Sequence, residues 1–96
     1  MSLITRVTLR VHGYLVGRFG FKERDFDFSG STVVALLDQL KGLLGAEKAQ
    51  VLFHGPGLSD LIYVLVNGKN IEQDQGLRTE LGEGDVVSIL PLMAGG

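Results

Sequence analysis

The residues best placed to do chemistry are the last ones. The sequence ends Pro91-Leu92-Met93-Ala94-Gly95-Gly96, and a carboxyl on a terminal glycine is a reactive group with no side chain beside it. With a pKa of about 3.3–3.7, that group is expected to be a carboxylate at neutral pH. A carboxylate is a poor electrophile, so acyl chemistry at Gly96 needs activation by a partner. Gly95 and Gly96 lack a Cβ and can thread a channel too narrow for other residues. Ala94 extends that slim tip, behind Met93, Leu92 and Pro91. Residues 91–96 span at most about 20 Å when extended. Pro91 stiffens the exit and lowers the entropy lost on insertion.

The other candidate groups carry less. His12 and His54 have no third ligand clustered with them, so no metal site is expected. Asp25, Asp27, Glu83 and Asp85 occupy strand or turn positions where solvated acids are usual. Gly55-Pro56-Gly57 lacks the lysine and the spacing of a phosphate-binding loop. The chain has no cysteine, which excludes disulfides, thiolate nucleophiles and iron–sulfur clusters.

Composition narrows the class of partner. A chain of 96 residues with 45% hydrophobic and 21% charged residues suits one globular domain, residues 1–96, rather than a disordered segment. Nine basic residues against eleven acidic ones, with no basic run, argue against nucleic acid as a partner. No apolar stretch approaches the roughly 20 residues of a membrane-spanning helix. The first residues lack the apolar core of a signal peptide. A cytoplasmic protein is expected.

The elements that must position the tail follow from periodicity. Leu3, Thr5, Val7, Leu9 and Val11 alternate with Arg6, Thr8, Arg10 and His12, the pattern of a half-buried strand. Gly13, Gly17 and Gly20 mark a turn region, and a second strand is expected near residues 21–28. Ser29-Gly30-Ser31-Thr32 offers helix caps. Val33, Leu36, Leu37, Leu40 and Leu44 follow at helical spacing and predict about three turns, with a stop at Gly42 or Gly45. Residues 45–60 read as mostly loop. Residues 61–66 are apolar on both faces, which predicts a central strand covered on one side by the helix. Asn67-Gly68 is a hairpin-turn signal, followed by a short extended segment near residues 69–71. One helical turn is expected within residues 73–81. Residues 85–90 form the last strand, and Pro91 is expected to end its pairing. The order predicts an α+β roll, a mixed sheet of about four to five strands packed on one main helix.

This order and ending resemble the β-grasp, ubiquitin-like sulfur carriers, above all the small subunit of molybdopterin synthase. The resemblance is carried by His12-Gly13-Tyr14-Leu15 after the first strand and by Ser31-Thr32-Val33 at the helix start. Val66-Asn67-Gly68-Lys69, Leu81-Gly82-Glu83-Gly84-Asp85-Val86-Val87 and the ending Pro91 to Gly96 complete it. It spans the chain except for about residues 45–60, which look like an insertion. The sequence departs from the family at His12 and Leu90, where aromatics are common, and at Leu92, where a second proline is common.

The resemblance implies a carrier that binds no cofactor and is not itself an enzyme. A ubiquitin-activating-type enzyme would use ATP to adenylate Gly96, sulfur would replace the adenylate, and the resulting thiocarboxylate would serve the molybdopterin synthase large subunit. Carriers for thiamine synthesis or tRNA thiolation, and ubiquitin-like modifiers or interaction modules, share the Gly-Gly ending and stay open. In the family's strand order, His12 and Leu90 fall close together on the exposed sheet face. That face, together with Ile71, is the expected partner surface. A tail of residues 91–96 is expected to be flexible.

Overall fold

The structure is a computed structural model and describes residues 4–92. The alternation at the start forms strand β1, Ile4–Val11, with Thr5, Val7, Leu9 and Val11 buried and Ile4, Arg6 and Arg10 exposed. It pairs antiparallel with β2, Glu23–Ser29, in a register that sets Arg6 opposite Asp27 and Arg10 opposite Glu23. The glycine-marked connection is more than a turn. It holds a short helix, α1, Leu15–Phe19, closed by Gly20. Leu15 and Phe19 lie four residues apart and bury one helical face.

The main helix α2, Val33–Leu44, starts where the capping sequence places it: the Thr32 hydroxyl accepts from the Ala35 N–H at 3.3 Å. Gly45 ends it. Val33, Leu36, Leu37 and Leu40 face the sheet and are fully buried. Each such side chain contributes about 1.5–3 kcal/mol by leaving water. The start of α2 is also tied to the end of the chain's last loop, because Leu81 N–H donates to Ser31 O at 2.7 Å and Val33 N–H to Thr79 O at 3.0 Å.

Residues 45–60 correct the expectation of a loop. They form a short helix, α3, Ala46–Ala49, and a small hairpin of β3, Phe53–His54, and β4, Gly57–Leu58. Ala49, Val51 and Leu52 are buried and join the core. One residue ending a single helical turn and two in the irregular backbone after it have no period, so only their packing reveals their burial.

The chain then adds β5, Ile62–Val66, β6, Lys69–Asn70, two 3₁₀ turns at Ile71–Gln73 and Gly76–Arg78, and β7, Val86–Pro91. The five-stranded sheet has the order β2-β1-β7-β5-β6, with β1 and β7 parallel and the other pairs antiparallel. Residues 62–66 form an inner strand, paired on both edges as expected, while β7 takes the middle of the sheet. Ile62 and Val64 of β5 bury beneath the helix, while Tyr63 and Leu65 point to the open face and stay half-buried. Among the described residues, no helix is long and apolar enough to cross a membrane.

Candidate functional site at the root of the tail

The last described residues belong to the sheet. Pro91 is buried and sits opposite Ile62. The Leu92 N–H continues the ladder by one residue, donating to Leu61 O at 2.9 Å. The expected tail of residues 91–96 is thus corrected at its start, since Pro91 ends a strand without ending the ladder. On the other flank of β7, the His12 N–H donates to Ile89 O at 3.1 Å. Gly13 follows with φ +62°, so close beneath Pro91 that a Cβ there would lie 2.8 Å from the ring's Cγ. Met93, Ala94, Gly95 and Gly96 lie outside the described residues.

Large apolar side chains stand exposed around this exit, next to a cleft with acidic walls. Among the described residues, Tyr14, Leu61 and Leu92 are large apolar side chains that are 56%, 60% and 57% exposed. Tyr14 follows Gly13, and Leu61 accepts the hydrogen bond of Leu92, so all three ring the end of β7. A cleft of about 410 Å³ opens beside Leu92, with Asp60, Tyr63 and Glu72 among its other walls.

The open face of the sheet is divided in two. Register sets Glu23, Arg10, Ser88 and Leu65 in one row, and Asp25, Thr8 and Val86 in another. Val11 pairs with Ile89 and Tyr63 with Leu90, so the next row runs from exposed His12 to Leu90 to Tyr63. The β1–β2 half is charged and internally matched. Arg6 Nε and Nη2 donate to the two carboxylate oxygens of Asp27 at 2.7 and 3.2 Å, and Arg10 Nε donates to Glu23 Oε1 at 2.9 Å. The Arg6 hydrogen bond holds the Asp27 carboxyl below its ordinary value, and Asp27 raises the Arg6 guanidinium in return. The β7–β5 half carries Val86, Leu90, Tyr63 and Leu65, all half-buried.

His12 and Leu90 are therefore neighbours on the open face, but Ile71 is not on it. Ile71 is 1% exposed. Asn70 Oδ1 accepts the Glu72 N–H at 2.9 Å and starts a 3₁₀ turn there, and Ile71 packs into the core. The assignment of Ile71 to the partner surface is corrected accordingly. Sequence reasoning missed Tyr63 and Leu61, although a strand covered on one side must show alternate residues to solvent. It also read Gly13 only as a turn. No group of three or more potential metal ligands occurs among the described residues.

A mixed five-stranded sheet holding one long helix, with its first and last strands parallel at the centre, defines the ubiquitin-like β-grasp class. Residues 14–96 match the ThiS family, and the chain belongs to that family, among the ubiquitin-like sulfur carriers. A protein of Archaeoglobus fulgidus assigned as a sulfur carrier is 38% identical over 72 residues, 75% of this chain and 82% of that one. The small archaeal modifier protein 1 of Methanosarcina acetivorans superposes with a TM-score of 0.79 at 29% identity, over 98% of this chain and 99% of its own. A chain of the BexX/CysO complex of Amycolatopsis orientalis does so with a TM-score of 0.76 at 30% identity, over 94% and 99%.

Proposed function

We propose that this chain is a sulfur carrier for molybdopterin synthesis and that Gly96 is its reactive residue. An ATP-dependent, ubiquitin-activating-type enzyme joins the Gly96 carboxylate to AMP and releases pyrophosphate. A sulfur donor displaces AMP and leaves a thiocarboxylate. The large subunit of molybdopterin synthase passes that sulfur to the pterin precursor, and the carboxylate returns for another round. The chain is then a co-substrate whose catalytic sites lie on its partners.

The observation that carries this reading is the root of the tail. β7 ends at a buried Pro91 between β1 and β5, inside a rim of exposed Tyr14, Leu61 and Leu92. Beyond it the sequence reads Met93-Ala94-Gly95-Gly96. An apolar rim can dock a partner, and a slim tip can enter its active site. Family membership supports sulfur transfer. The proline before the tip supports the molybdopterin pathway over thiamine synthesis. Similarity to an archaeal modifier protein favours a second reading, in which Gly96 is joined to lysines of other proteins.

Intact-mass analysis of the chain purified from its host separates the two. The carrier reading expects a sulfur-for-oxygen exchange on the C-terminal peptide and loss of molybdopterin synthesis when Gly95-Gly96 is deleted. Lysine adducts of the chain with unchanged molybdopterin in the deletion strain would favour the modifier.

A further inference from the structure

We propose that Gly13 is a positioning residue for the chemistry at Gly96, acting through a clamp that fixes the line along which the tail leaves the body. The inference rests on the sulfur-carrier reading.

The clamp has two jaws. On the β1 side, Gly13 gives the Pro91 ring its seat: a Cβ at Gly13 would meet Pro91 Cγ at 2.8 Å and Cδ at 3.4 Å. Carbon atoms pack at about 3.5–4.0 Å, so no side chain fits beneath the ring. The φ of +62° also disfavours any residue with a Cβ. The turn cannot retreat freely, because the neighbouring His12 N–H is bound to Ile89 O on β7 itself. On the β5 side, Leu61 O holds the Leu92 N–H. Between the jaws, Pro91 has φ fixed near −65° and is buried. Gly20 has a similarly positive φ of +87°, but a Cβ there meets nothing within 4 Å. A close tail contact sets Gly13 apart from it.

The consequence concerns reach and aim. With Pro91 and Leu92 held by the sheet, four residues remain to carry the carboxyl away, spanning at most about 14 Å rather than about 20 Å. A short lever makes the position of the carboxyl depend strongly on its root. A misplacement of about 1 Å can cost roughly 100-fold in rate, and that is the scale of shift a Cβ at Gly13 would impose on Pro91.

The test is a double-mutant cycle with Gly13→Ala, Pro91→Ala and the pair, alongside Gly20→Ala as the control for positive-φ strain. ATP–pyrophosphate exchange by the host's adenylating enzyme, at a temperature where all variants are folded by circular dichroism, gives kcat and KM. Hydrogen exchange of the Leu92 amide, followed by NMR, reads the clamp without any enzyme. Gly13→Ala should lower kcat by about 10-fold or more with KM within about twofold, because a misaimed carboxyl is lost in the chemical step. The same substitution in the Pro91→Ala background should cost far less, since alanine has neither Cγ nor Cδ. The Leu92 amide should exchange faster in Gly13→Ala than in wild type or Gly20→Ala. An unchanged kcat in Gly13→Ala, an equal fall in Gly20→Ala, or additive effects in the cycle would overturn the proposal. If the wild-type chain supports no pyrophosphate exchange, the sulfur-carrier reading fails instead. The Leu92 amide then decides the clamp alone, and equal exchange in wild type and Gly13→Ala sinks it.

Discussion

At the scale of single residues, Asn67 shows how one side chain can hold the tail-bearing strand. It has φ +52°, the one positive φ outside glycine among the described residues. Asn tolerates that region better than most residues because its short amide bonds locally. Here the amide reaches further. Oδ1 accepts the Val86 N–H at 2.9 Å, Nδ2 donates to Asp85 Oδ1 at 3.0 Å, and the backbone N–H donates to Val86 O at 2.8 Å. Asp85 in turn accepts from the Gly82 N–H at 2.8 Å. The sequence presents Asn67-Gly68 and residues 82–85 as two separate turns, but they form one junction at the start of β7. Asn67→Ala loses both side-chain bonds and places a Cβ residue at positive φ, for a cost of about 2–3 kcal/mol. Asn67→Gly loses the bonds but relaxes the backbone, for about 1–2 kcal/mol. Urea denaturation at neutral pH ranks the two, and equal midpoints would show that the turn conformation contributes nothing. Residue-level legibility has a limit at Ile71. An apolar residue after a short strand fits an exposed docking position or a core position equally well, and only the Asn70-capped turn sends it inward.

At the scale of elements, the β1–β2 pair carries a charge ladder whose effect on stability has a defined pH window. Arg6 lowers the folded pKa of Asp27, whereas the unfolded value is about 3.9. A depressed carboxyl stabilises the fold fully above its unfolded pKa, and the contribution fades as pH falls through the folded value. Wild type should therefore melt above Asp27→Asn at pH 7, with the gap closing below about pH 4. The gap should be small and narrow further in concentrated salt, because the Arg6 and Asp27 side chains are 60% and 49% exposed. Melting curves from pH 7 to pH 2 check this, and a gap that persists or widens at pH 2 contradicts it. This ladder was readable in part: alternation put Arg6 and Arg10 on the open face, but their partners depend on register, which the long β1–β2 connection hides. The main helix was legible from its leucine spacing, a local signal, although its stop was left between Gly42 and Gly45 and only the structure selects Gly45. Helix α1 was not legible, since Gly17 interrupts a segment whose burial comes from Leu15 and Phe19. Residues 45–60 fold through contacts with α2 and the core and carry no period of their own.

At the scale of the molecule, the open sheet face works as a divided surface that ends at the tail. One half satisfies its own charges through Arg6–Asp27 and Arg10–Glu23. The other half is apolar along β7 and β5 and runs into the rim of Tyr14, Leu61 and Leu92. Of this surface, His12 and Leu90 could be found in the sequence, because alternation puts each on an outer face and the resemblance to the family's strand order sets the two strands side by side. Tyr63 and Leu61 lie in a run that is apolar throughout, so composition does not tell the helix-covered residues from the open ones, and only the one-sided cover by the helix implies that alternate residues show. On the sulfur-carrier reading, a partner that activates Gly96 approaches the end where β7 leaves, and the large exposed side chains there are Tyr14, Leu61 and Leu92. Docking should then depend on Leu61 and Leu90 more than on Arg10, whose charge is already matched within the sheet. Leu61→Asp and Leu90→Asp should each raise the KM of the adenylating enzyme for the chain by about 10-fold or more, the scale expected when a central apolar contact is replaced by a charge. Arg10→Ala should shift it by less than about threefold, as expected of a rim charge. Ile4→Asp makes the same chemical change at the opposite end of the face, where Ile4 is 57% exposed, and should leave KM at its wild-type value. Melting temperatures measured on the same samples separate lost docking from lost folding. If Ile4→Asp weakens the interaction as much as Leu61→Asp, or if Arg10→Ala weakens it most, the partner does not read the apolar half, and the rim around Pro91 is not where it docks.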